Sequence, residues 1–179
     1  MRKLKWLFVA AAAVLLSACA ASGPKVRTDR DPMANLASYK TFGFYDQLRG
    51  DRARYSTVMS NRLRAATMAE LTKRGYTYDP RTPQLRVNLF LQVANRQDVR
   101  STPTAGFRPW MGPRDIETVS YEAGTLRIDL VDVARNSSVW QAVAEGKISE
   151  EALGNPGPTV DEVVRSMFRQ FPDKALGYN

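Results

Sequence analysis

Between Tyr39 and Phe171 the apolar positions recur with two periods, and the switches between them divide the chain into elements. Tyr39 to Tyr45 alternates, with Phe42 and Phe44 on one side, which predicts a first strand. From Arg52 to Arg74 there is neither proline nor glycine. Tyr55, Val58, Met59, Leu63, Ala66 and Ala69 fall at helical spacing there before Gly75, so an amphipathic helix with a glycine cap is expected. After Pro80 and Pro83 the period returns to two: Leu85, Val87, Leu89, Leu91 and Val93 alternate with Arg86, Asn88, Phe90 and Gln92, a second strand. Glu117 to Val133 predicts a third strand with Leu126, Ile128 and Leu130 on one face. Ser138 to Ile148 predicts a fourth, joined to the third as a hairpin through Ala134 to Ser137. Trp140, Ala142 and Ala144 are expected to face the helices beside Leu126, Ile128 and Leu130. Past the stop signal Gly154 to Pro158, Thr159 and Glu162 have capping-box spacing. Val160, Val163, Val164, Met167 and Phe171 then mark one face of a second helix ending at Phe171-Pro172.

The order β-α-β-β-β-α predicts an α+β fold: a two-layer sandwich in which a four-stranded mixed sheet carries two helices on one face. It forms one domain over residues 39–172, followed by a tail at 173–179. Residues 100–115 hold three prolines and two glycines. They are expected to form a long loop.

The N-terminus follows neither period. Arg2, Lys3 and Lys5 precede an unbroken apolar run from Leu7 to Leu16, the basic and apolar regions of a secretory signal. That run is about half of the ~20 residues a helix needs to span hydrocarbon. Leu16-Ser17-Ala18-Cys19 resembles the lipobox of bacterial lipoproteins. The resemblance implies a signal peptide at residues 1–18, cleavage before Cys19, and diacylglycerol and a further acyl group such as palmitate on Cys19. An ordinary signal cleaved after Ala18 would instead leave a free thiol. Each buried methylene contributes ~0.8 kcal/mol, so two or three acyl chains anchor effectively permanently. Residues 19–38 are small, polar and charged and read as the lipidated cysteine and a flexible tether with a reach of ~25 Å. Ala20 stands where an aspartate would commonly signal inner-membrane retention, so the outer membrane, periplasmic side, is expected for a Gram-negative source.

Composition then removes function classes. Without residues 1–18, 23 basic and 18 acidic side chains remain, a charge of +5. That suits an anionic envelope lipid or an acidic envelope protein as partner, or simply a solvated surface; nucleic acid is not expected in that compartment. Cys19 is the only cysteine and there is no histidine. Once Cys19 is lipidated no disulfide or thiol nucleophile remains, and Ser-His catalysis, imidazole bases and His-containing zinc sites are excluded. No metal or cofactor is expected.

Several separated pieces match one pattern. They are the lipobox, Asp29-Arg30-Asp31-Pro32 leading through Leu36 and Ser38 to Tyr39-Lys40-Thr41-Phe42, Lys73-Arg74-Gly75-Tyr76, Tyr121, Gly124 to Asp132, Val139-Trp140 with Ala144, and Phe171-Pro172. In these the chain resembles the bacterial lipoprotein family catalogued as domain of unknown function 4136, over nearly the whole mature length. The resemblance implies a small envelope lipoprotein and supplies no catalytic residues. Residues 100–115 depart from it, carrying proline and arginine where such proteins often carry Gly, Tyr and Trp.

Carboxylates are the one remaining route to catalysis, since a glycan-cleaving enzyme can run on Glu and Asp alone. Glu117, Glu122, Asp129, Asp132 and Glu145 are the candidates, with solvated or paired charge as their alternative role. The 100–115 loop displays Phe107, Arg108, Trp110 and Arg114, residue types enriched at binding hot spots. It is either a contact surface or a cover for the sheet. The leading expectation is therefore a non-enzymatic, lipid-anchored interaction or structural module. A carboxylate-based hydrolase of cell-wall glycan and a carrier of a small apolar ligand are the alternatives. A buried carboxylate pair in a cleft would favour the hydrolase, an apolar pocket between helices and sheet the carrier, and a flat aromatic and basic patch the interaction module.

Overall fold

The computed structural model describes residues 23–45, 57–101, 116–149, 152 and 154–172. Its elements are β1 (Lys25–Arg30), β2 (Thr41–Phe44), α1 (Val58–Lys73), β3 (Thr77–Tyr78), β4 (Leu85–Ser101), β5 (Ile116–Asp132), β6 (Ser137–Lys147) and α2 (Pro156–Phe168), with a 3-10 turn at Leu36–Ser38. The strands form one mixed sheet in the order β1-β6-β5-β4-β2-β3. β2 runs parallel to β3 and β4, and the other neighbours are antiparallel. Both helices share the buried core with one face of the sheet. Among the described residues the α+β class with two helices is as expected, but the sheet has six strands rather than four.

Both extra strands lack the alternation that marks a buried face. β1 lies inside the segment read as a tether, and its Lys-Val-Arg-Thr-Asp-Arg sequence has a single apolar residue, Val26. What holds it is backbone pairing with β6, from Lys25 opposite Glu145 to Arg30 opposite Trp140. β3 has only two residues, both exposed. The Thr77 amide donates to the Lys40 carbonyl and the Asp79 amide to that of Phe42, each at 2.8 Å. Gly43 lies beneath this crossing, where a Cβ would come within 2.9 Å of the Asp79 carbonyl oxygen.

β4 also runs further than its apolar pattern, so residues 100 and 101, expected in a loop, belong to a strand. Beyond Ala123, where β6 stops pairing, β4 and β5 continue as a two-stranded arm from Asn95 opposite Glu122 to Ser101 opposite Ile116, about 23 Å of strand. Over this stretch only two strands pair, and the β4 half, Asn-Arg-Gln-Asp-Val-Arg-Ser, carries no alternating apolar row, whereas the β5 half fell within the strand expected from Glu117.

In α1 the inward stripe is Ser60, Leu63, Thr67 and Leu71, whereas Val58 is 73% exposed and Ala69 also faces water. Two of the four inward positions are hydroxyl residues, which a reading of apolar spacing passes over. Thr57 caps the start by accepting from the Ser60 amide at 3.1 Å. Gly75, at φ 83°, ends the helix as expected, with its amide donating to Thr72 and that of Tyr76 to Leu71. α2 starts earlier than the Thr159 capping box, at Pro156 after Asn155, and has no side-chain cap. Proline in the first turn costs nothing because its missing amide would have no helical partner.

Sheet register places Trp140 opposite Leu130, Ala142 opposite Ile128 and Ala144 opposite Leu126, the expected helix-facing rows. Val139 is skipped between the Leu130–Trp140 and Val131–Ser138 pairs. This bulge lets two consecutive residues, Val139 and Trp140, both be buried. Trp140 packs on Phe168 and Phe171, with ring centroids 5.1 and 4.9 Å away. Phe171 also meets Tyr76 edge-on. Arg74, at the end of α1, lies over the Phe168 ring and donates to the Phe168 carbonyl at 2.7 Å.

A second tie joins the chain before β2 to the turn after β5. The Tyr39 hydroxyl donates to Asp132 Oδ2 at 2.7 Å, and Arg135 donates to the same oxygen at 2.8 Å and to the Tyr39 oxygen at 3.1 Å. The Arg135 amide donates to Asp132 Oδ1. These donors, the Tyr39 hydroxyl first, push the Asp132 pKa down to about 2 from an ordinary 3.8.

Trp140→Ala should cost about 3–5 kcal/mol in urea unfolding, as truncation of a buried aromatic does; wild-type stability would refute its place at the helix-sheet junction. Because the folded pKa of Asp132 is depressed, its stabilisation is complete above about pH 4 and is lost as pH falls toward 2. Asp132→Asn should therefore be less stable than wild type at neutral pH by about 1–2 kcal/mol, exposure of Arg135 limiting the effect. The gap should close between pH 4 and pH 2.

Candidate functional site

Side-chain size falls along the helix-facing rows. On β6 the row runs Trp140, Ala142, Ala144, Gly146, and on β5 it runs Leu130, Ile128, Leu126, Gly124. At the Trp140 end the aromatic rings fill the space between layers. At the glycine end they do not, and a cavity of about 670 Å³ opens there. Its floor includes Leu91, Val93, Leu126 and Ala144, its roof Met59 and Leu63 of α1 and Val160 and Val163 of α2. Gly23, Pro24 and Ile148 border it.

The lining is predominantly apolar, with Glu122, Lys147, Ser149 and Thr159 among its few polar residues. Lys147 Nζ pairs with Asp98 at 2.9 Å and lies 3.9 Å from the centre of the Tyr121 ring. Ser149 Oγ accepts from the Ala152 amide. Such a site can hold a hydrophobic molecule by excluding water from it, and its volume lies within the range of small-molecule pockets.

The carboxylates proposed from sequence are dispersed into local ties. Asp129, on the face away from the helices, accepts from Asn88 at 3.0 Å and Gln141 at 2.8 Å, with Arg127 at 3.3 Å. Asp132 is held by Tyr39 and Arg135. Glu145 pairs with exposed Arg27. Of the five, Glu122 borders the pocket, and the Glu117 side chain lies outside the described residues. Among the described residues no cluster of three or more Asp, Glu, Cys or His is placed to hold a metal, and no helix is long and apolar enough to cross a membrane.

The residues singled out by sequence, Cys19 for lipidation and Phe107, Arg108, Trp110 and Arg114 for partner binding, also lie outside the described residues. An apolar pocket between helices and sheet was named only as the mark of the carrier alternative, and its lining residues were missed, although their signal is present. Two paired strands whose inward residues shrink in the same direction leave unfilled volume at their small end.

No curated protein matches the chain. Among solved structures, a PDZ domain protein from Parabacteroides distasonis is similar with a TM-score of 0.56 at 14% identity, covering 89% of this chain and 39% of that one. The chain thus spans about two fifths of that protein, and the likeness is one of fold. The PelC dodecamer from Paraburkholderia phytofirmans is similar at TM-score 0.49 and 10% identity, covering 81% and 95% of the two chains. A minor lipoprotein from Acinetobacter baumannii gives 0.37 and 12%, covering 76% and 94%. These two likenesses are too remote to carry an argument about fold. The sequence model described as domain of unknown function, DUF4136, matches residues 26–173, most of the chain, and the chain belongs to that family.

Proposed function

We propose that this chain is a lipid-anchored envelope lipoprotein whose domain binds an apolar ligand and performs no chemistry. The pocket carries this reading: it lies between helices and sheet, is lined mainly by hydrocarbon, and among the described residues brings no pair of carboxylates together. The anchor rests on the basic start, the apolar run and the lipobox ending at Cys19. Ala20 supports delivery to the outer membrane, on its periplasmic side in a Gram-negative cell. An anionic envelope lipid or an envelope protein suits the +5 charge.

A second reading is favoured by the β4–β5 arm, which leaves Val99 68% exposed and carries residues 102–115 between its two strands. In this reading the arm presents Phe107, Arg108, Trp110 and Arg114 to a partner.

Three outcomes test these readings. The unlipidated Cys19→Ser protein should bind the apolar dye phenylnaphthylamine saturably. Adding Val163→Trp, which puts a ring into the pocket, should weaken binding about tenfold with the unfolding midpoint unchanged; equal affinity in the folded variant would sink the pocket. Labelled fatty acid should enter the wild-type chain and not Cys19→Ser, and label in both would defeat the anchor assignment. Trp110→Ala should weaken capture of crosslinked partners from cells at unchanged thermal stability. Unchanged capture with a lower melting temperature would make the loop a structural cover.

A further inference from the structure

The pocket is bordered by Gly23 and Pro24, the first residues of the described chain. The strand after them fixes their position. Lys25 and Val26 begin the pairing of β1 with β6 opposite Glu145 and Ala144. Pro24 lies so close over Gly146 that a Cβ added to the glycine would sit 3.3 Å from it. Cys19 precedes Gly23 by four residues. A segment that short spans at most about 14 Å fully extended. The side chain that the sequence marks for acylation is therefore tied close to the mouth of a hydrocarbon-lined cavity.

We propose that the pocket is the binding site for one of the acyl chains carried by Cys19 of the same molecule. This rests on the readings of Cys19 as lipid anchor and of the pocket as an apolar ligand site. The walls favour an acyl chain: Leu63, Leu91, Leu126, Val160 and Val163 offer contacts to methylene groups. The rim groups Lys147 and Ser149 are engaged with Asp98 and the Ala152 amide rather than aimed inward at a headgroup. Attachment favours the chain's own lipid over free phospholipid. A short linker makes binding intramolecular, with an effective concentration that reaches the millimolar range when the linker can span to the site. The remaining chain or chains would stay in the bilayer. Because a single chain gives only marginal membrane binding, occupancy of the pocket would set how firmly the anchor holds.

The test uses the full-length chain in cells fed a palmitic acid that carries a diazirine, which enters both the lipoprotein anchor and phospholipid. After irradiation and purification, crosslinked peptides are mapped by mass spectrometry. The expected product is the Cys19 peptide joined through its acyl chain to peptides containing Leu63, Leu126 or Val163. Its yield should fall about tenfold in Val163→Trp, with Val160→Trp as a second plug should the first misfold. Pocket peptides carrying phospholipid, with undiminished labelling in Cys19→Ser, would overturn occupancy by the chain's own lipid and leave the apolar-ligand reading standing. Absence of crosslinks to any pocket peptide would overturn the proposal as well, and dye binding by the Cys19→Ser protein would then decide the fate of the pocket separately.

Discussion

The packing of the Trp140 indole against Phe168 and Phe171 sets the relation between the two layers. Trp140 comes from β6, the phenylalanines from the end of α2 and the turn after it, and Arg74 from the end of α1 spans both rings. Tyr76, whose hydroxyl donates to the Leu36 carbonyl at 2.8 Å, adds the 3-10 turn to the same cluster. One aromatic group thus fixes both helix ends and the approach to β2 against the sheet. Burial raises the Tyr76 pKa to about 12, so that hydroxyl stays a neutral donor at ordinary pH.

With the layers pinned at that end, their separation at the other end is not free to collapse onto smaller side chains. Helices are rigid over their length, and closing the gap above Ala144, Gly146 and Gly124 would require tilting them away from Trp140. The cavity is in this sense the complement of the aromatic cluster. Large residues at one end of two paired strands hold open the space that small residues at the other end leave unfilled.

The sequence was most legible where one face is buried and the other wet. The rows Leu85-Val87-Leu89, Leu126-Ile128-Leu130 and Trp140-Ala142-Ala144 could be placed because alternation is a direct imprint of a one-sided core. It was silent for β1, for β3 and for the β4 half of the β4–β5 arm, which are held by backbone pairing and answer to no burial pattern; the β5 half fell within the strand read over Glu117 to Val133. The helix-facing residues Ser60 and Thr67 were hidden because their polarity does not announce burial. Of the candidate site, the carboxylates were visible as residue types but not as the separate ties they form. The pocket depended on comparing side-chain sizes across two strands, information that apolar periodicity discards.

The pairing of β1 with β6 also bears on how copies of this protein coexist. Without β1, the backbone amides and carbonyls of β6 beside Trp140, Ala142 and Ala144 would form an open strand edge backed by an apolar face, the kind of edge that recruits other strands. β1 occupies that edge with Lys25, Arg27, Asp29 and Arg30, charged side chains that discourage a further strand from adding. In the lipid-anchored state proposed above, neighbours would be met at high density and in similar orientation. The short charged strand would then guard against sheet-to-sheet polymerisation, using residues that directly follow the proposed anchor segment in sequence.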